Sequence, residues 1–110
     1  MLTLITPTGG RPEQFALCEK WMEQQTVKFD QWIVVDDVDP ATPCTMGQEV
    51  VRPEPRWQKG ENTQVRNMLA ALDRVQGDVV FVIEDDDWYH PRYLEEMLHA
   101  IDNVFVAGEA

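Results

Sequence analysis

The chain has 110 residues, 44% hydrophobic and 26% charged, with 9 Lys and Arg against 20 Asp and Glu, a formal net charge of −11. That length and composition fit one small globular domain, or part of a larger one. The acidic balance argues against direct contact with nucleic acid or an anionic membrane surface, since both repel it, and the longest apolar run, Val79 to Ile83, is far shorter than the ~20 residues that span a bilayer.

Leu2-Thr3-Leu4-Ile5 is short, apolar and β-branched and runs into the turn-rich Thr6-Pro7-Thr8-Gly9-Gly10-Arg11-Pro12, so it reads as a strand followed by a loop. This N-terminus has no basic flank and is too short for a signal sequence, and the protein reads as cytoplasmic. Pro12 suits the first turn of a helix, and Phe15, Cys18 and Met22 keep helical spacing to about Gln25. A second strand, Gln31 to Val35, ends in three continuous apolar residues, as in a parallel sheet covered on both faces, and stops at Asp36-Asp37.

Val38 to Gly60 carries four prolines and reads as an irregular connection with one short strand at Gln48 to Val51. Helical spacing returns at Asn62, with Val65, Met68, Leu69, Leu72 and Val75 as one buried stripe and Gly77 closing the helix. The strand Val79 to Ile83 follows and ends in Glu84-Asp85-Asp86-Asp87. Pro91 opens a third helix with Leu94, Met97, Leu98 and Ile101 on one face, and Val104 to Ala107 reads as a last strand. The two cysteines, Cys18 and Cys44, form no metal-ligand pattern and read as free thiols.

This alternation predicts a three-layer α/β domain over residues 1–110, a mostly parallel sheet with helices on both faces. Nothing follows the last strand to cover the sheet there, so the chain reads as cut short, and the bare strand edge makes a homodimer plausible. In such a sheet ligands bind outside the carboxyl ends of the strands. Three polar clusters fall on that rim: Thr6 to Arg11, Asp36-Asp37 and Glu84 to Asp87. Four adjacent acids repel one another, and a bound Mg²⁺ or Mn²⁺ shared with substrate phosphates relieves that repulsion. The plainer alternative for each cluster is local: a solvated acidic turn capping the next helix, an Asx turn, and a glycine-containing helix cap. His90 and His99 lack ligand-spaced partners and read as ordinary surface residues.

In order along the chain, Ile5-Thr6-Pro7-Thr8 with Arg11, Ile33 to Asp37, Gln64-Val65-Arg66-Asn67 and Val80 to Pro91 resemble the nucleotide-binding half of GT-A-fold family 2 glycosyltransferases. The resemblance implies a GT-A, Rossmann-like domain that binds a nucleoside diphosphate sugar, with a uridine diphosphate sugar the favoured donor and the acceptor unspecified. It places Pro7, Thr8 and Arg11 in the nucleotide pocket, Asp36 or Asp37 against base or ribose, and Arg66 near the nucleotide. Glu84 and Asp85 then sit near ribose and diphosphate, and Asp86 ligates Mn²⁺ or Mg²⁺. Glu84 stands where the family's metal signature usually has Asp, and no residue matches the family's general base. Two other classes share parts of this pattern: a sugar nucleotidyltransferase, for which Thr8 to Arg11 is a poor phosphate loop, and a non-catalytic domain that keeps the fold.

Overall fold

The computed structural model describes the backbone of residues 1–109 and the side chains of residues 1–102. In chain order the elements are β1 (Leu2–Thr8), α1 (Pro12–Glu23), β2 (Gln31–Asp36), β3 (Glu49–Val51), α2 (Gln64–Leu72), β4 (Val79–Val82) and α3 (Tyr93–Glu109). The strands form one sheet in the order β3-β2-β1-β4, and every neighbouring pair is parallel. The α/β class, the parallel sheet and the helices on both faces therefore match the pattern expected from the sequence.

Alternation along the strands sorts side chains to two faces. Leu2 and Leu4, Trp32 and Val34, Phe81 and Ile83 point one way and pack with Phe15, Cys18 and Met22 of α1 and Leu94 of α3. Ile5, Ile33 and Val35 point the other way and pack with Ala71 of α2, with Met68, Val75 and Val80 at the margin. Among the polar groups inside this frame, the Trp32 indole N–H donates to the Thr6 hydroxyl at 2.9 Å.

Three expectations need correction. Residues 104–107 are not a strand, because α3 continues to Glu109. Val104 and Phe105 continue the helical spacing of Leu94, Met97, Leu98 and Ile101, no Gly or Pro interrupts it, and a four-residue apolar run alone cannot distinguish strand from helix. The bare sheet edge expected at that place, and the dimer argued from it, lose their basis.

The buried stripe of α2 is also different. Val65, Leu69 and Leu72 are 72%, 59% and 50% exposed, while Asn67 and Ala71 face inward. Ala71 is small enough to let the helix lie close on Ile5, Ile33 and Val35, and Asn67 faces the rim.

Finally, α2 ends at Leu72, so Gly77 does not close it. The backbone of residue 77 passes so near β1 that a Cβ there would stand 2.5 Å from the Thr3 hydroxyl and 2.6 Å from the Met1 carbonyl oxygen. The Gly77 N–H donates to that hydroxyl at 3.0 Å, and the Thr3 hydroxyl donates in turn to the Gln31 side chain at 2.7 Å.

Candidate functional site

In the register, Thr8 of β1 lies beside Asp36 of β2, so the carboxyl ends of the two central strands finish level. The Ile83 N–H donates to the Ile5 carbonyl at 2.8 Å, which brings the acidic segment after β4 alongside the same rim. A cavity of about 840 Å³ opens there, walled by the β1 loop from Pro7 to Arg11, by Asp37 and Val38, and by Glu84, Asp85 and Asp86. Its remaining wall runs from Trp57 through Glu61 to Gln64 and includes Asn67.

The two aspartates that end β2 do different jobs. Asp36 is fully buried and turned into its own loop: it accepts the Val38 and Thr42 amides at 3.0 and 2.7 Å, with the Arg52 guanidinium 3.3 Å away. It does not line the cavity. Asp37 does, and its carboxylate accepts the Thr63 hydroxyl at 2.6 Å and the Arg66 guanidinium at 2.9 Å. Burial pushes the Asp37 carboxyl up, but the Thr63 and Asn67 side chains and the Arg66 charge outweigh that and hold it below the usual carboxylate value. Arg66 stands behind Asp37 rather than in the cavity wall, with a second arm donating to the Pro55 carbonyl at 2.8 Å.

The four acids after β4 also divide. Asp85 is 3% exposed and faces inward, where it accepts the Thr8 hydroxyl and pairs with Arg11 at 2.9 Å. Glu84, Asp86 and Asp87 are exposed, and one carboxylate oxygen from each lies within 4.8 Å of the others. Three hard oxygen donors at that spacing fit a divalent cation that also keeps water and phosphate ligands. The Glu84 amide donates to the Tyr89 hydroxyl at 2.9 Å, which anchors the start of the cluster to the core. Burial pushes that phenol up to about 12, so it stays neutral.

All but two of the residues expected in the site, Asp36 and Arg66, line the cavity. The β1 glycines serve packing as well: a Cβ at Gly9 would stand 2.5 Å from a Val38 methyl. Sequence reasoning missed Val38, Trp57, Glu61, Asn62, Thr63, Gln64 and Asn67. A signal for the last four was present, because a helix that follows a parallel strand starts at the carboxyl-end rim. Thr63 occupies the N-cap position of α2 yet makes no capping bond, since its hydroxyl is committed to Asp37. Trp57 and Glu61 lie in an irregular connection, where periodicity carries no information.

The glycosyl transferase family 2 model matches residues 4–108. The chain belongs to glycosyl transferase family 2. No curated protein matches it. Among solved structures, S. aureus TarS aligns over 93% of this chain at 20% identity and a TM-score of 0.66. TarS 1–349 aligns over 93% at 20% identity with a TM-score of 0.65, and TarS 1–349 in complex with UDP over 93% at 21% with a TM-score of 0.64. These likenesses establish the GT-A, Rossmann-like fold of this family 2 domain. The chain spans 19% of the first TarS structure and 32% of the other two. No helix among the described residues is long and apolar enough to cross a membrane.

Proposed function

We propose that this chain is the donor-binding domain of a glycosyltransferase, holding a nucleoside diphosphate sugar whose sugar is transferred to an acceptor hydroxyl. One observation carries the reading: a single cavity has the pinned carboxylate of Asp37 on one side and the convergent carboxylates of Glu84 and Asp86 on the other. Asp37 follows β2 and the acids follow β4, with β1 between them. Two strand spacings separate the ends of β2 and β4 by about 10 Å, a span on the scale of a nucleoside diphosphate.

In this reading Asp37 accepts hydrogen bonds from base or ribose, and Arg66 and Thr63 position it. Pro7 and Thr8 line the nucleoside side. Asp85 acts through Thr8 and Arg11, holding the β1 loop against the acidic segment. Glu84, Asp86 and Asp87 would hold Mn²⁺ or Mg²⁺, and such an ion would supply charge neutralisation for the diphosphate as a leaving group. Uridine diphosphate is the favoured nucleotide, a reading supported by the structural neighbour TarS 1–349, which was solved in complex with UDP.

Calorimetry of UDP with Mn²⁺, against UDP with EDTA, tests the reading. UDP binding is expected to weaken at least tenfold in EDTA. Asp86→Ala should reproduce that loss, and Asp78→Ala should not, because Asp78 lies at the far end of β4, paired with the N-terminal amine. Equal affinity with and without the chelator removes the metal from the proposal.

A further inference from the structure

Among the described residues, Trp57 is the only aromatic that lines the cavity, whose wall also includes Gly9 and Gly10 of the β1 loop. Its place is set at two points: its backbone N–H donates to the Asp37 carbonyl at 2.7 Å, and its indole N–H donates to the Glu61 carbonyl at 2.9 Å. The second bond ties down the edge of the indole and leaves its π-faces unbonded, and the residue is 38% exposed. The segment bearing it is fastened on both sides. Arg56 donates to the Arg52 and Pro53 carbonyls at 3.1 and 2.9 Å, and Arg66 donates to the Pro55 carbonyl while holding Asp37.

We infer that Trp57 is the stacking platform for the nucleobase of the donor and, with Asp37, sets the nucleoside subsite of this chain. The inference rests on the donor-binding reading above and adds a residue to it. Two groups joined through one backbone hydrogen bond then do complementary work. The indole offers a flat apolar face to the ring, and the carboxylate reads a polar edge of the same ring or its ribose. Stacking accepts any base, so Trp57 supplies affinity, and discrimination between bases falls to Asp37.

Calorimetry in Mn²⁺ with two probes, UDP and inorganic pyrophosphate, decides it in the wild type, Trp57→Leu and Trp57→Phe. Leu keeps apolar bulk without a π-face, and Phe restores a smaller one. The expected result is a loss of UDP affinity of roughly five- to a hundredfold in Trp57→Leu, a smaller loss in Trp57→Phe, and unchanged pyrophosphate affinity in both. Unchanged UDP affinity in Trp57→Leu overturns the platform while leaving the donor-binding reading intact. Equal losses for UDP and pyrophosphate also overturn it, since Trp57 then maintains the cavity as a whole. Absence of UDP binding by the wild type overturns both readings.

Discussion

At Asp37, burial and pairing act in opposite directions on one carboxylate, and pairing wins. Because the folded-state value lies below the unfolded one, the charge stabilises the fold fully above the ordinary aspartate range. That contribution is lost as the pH falls through the folded-state value, so stability should decline as solutions are taken below about pH 4. Asp37→Asn removes the charge, and its urea midpoint should therefore fall less steeply than the wild type over the same acid range. The same variant should weaken UDP binding by about 1.5–3 kcal/mol, the worth of a charge-assisted hydrogen bond. Asp36→Asn should behave differently. Its carboxylate accepts two loop amides beside Arg52, so the substitution should lower the unfolding free energy by about 1–3 kcal/mol, with any effect on UDP following from the loop. Titration calorimetry paired with urea unfolding separates the two aspartates.

Among the elements, α2 shows how helix orientation can follow the site rather than the largest apolar side chains. Thr63 and Arg66 at its start are tied to Asp37, and this rotates Asn67 to the rim and Ala71 onto the sheet. Val65, Leu69 and Leu72 are left facing solvent. Leu69→Gln and Leu72→Gln should each change the unfolding free energy by no more than about 0.5 kcal/mol, whereas Ala71→Leu should cost about 1–3 kcal/mol by overpacking the helix–sheet contact. Losses of several kcal/mol for the two leucines in urea titrations would restore the stripe inferred from spacing. Period 3.6 located this helix in the sequence but could not choose its buried face, because apolar residues occur on more than one side and the choice depends on a polar contact distant in the chain. The strands were legible because continuous apolar runs such as Ile33 to Val35 and Val79 to Ile83 end in acids; β2 is buried throughout, as such a run suggests, whereas β4 lies at the sheet edge with Val82 45% exposed. Within the site, the β1, β2 and β4 clusters could be read from their place at strand ends. Trp57 could not, because it is placed by its own bonds to the Asp37 and Glu61 carbonyls and the residues before it by arginine bonds to carbonyls, contacts that leave no periodicity.

For the whole molecule, the net charge of −11 and the outward-facing acids make one prediction about stability. Glu84, Asp86 and Asp87 each hold a carboxylate oxygen within 4.8 Å of the others, so a cation bound among them would meet three negative charges at once, while Asp85 is paired with Arg11. Any ligand that binds only the folded state stabilises it by mass action, by about 1.4 kcal/mol at ten times its dissociation constant. For a domain of this size that corresponds to a rise in Tm of roughly 5–10 °C. Mn²⁺ with UDP should produce such a shift, and sodium chloride at matched ionic strength should give much less, because screening acts on all surface charges weakly while coordination acts on these three at short range. Asp86→Ala should start from an equal or higher Tm in the absence of metal, having lost one repelling charge, and should gain little when Mn²⁺ and UDP are added. If differential scanning calorimetry showed the wild type and Asp86→Ala shifting equally, the cation would be acting elsewhere on this acidic surface, and the three carboxylates would be a solvated turn.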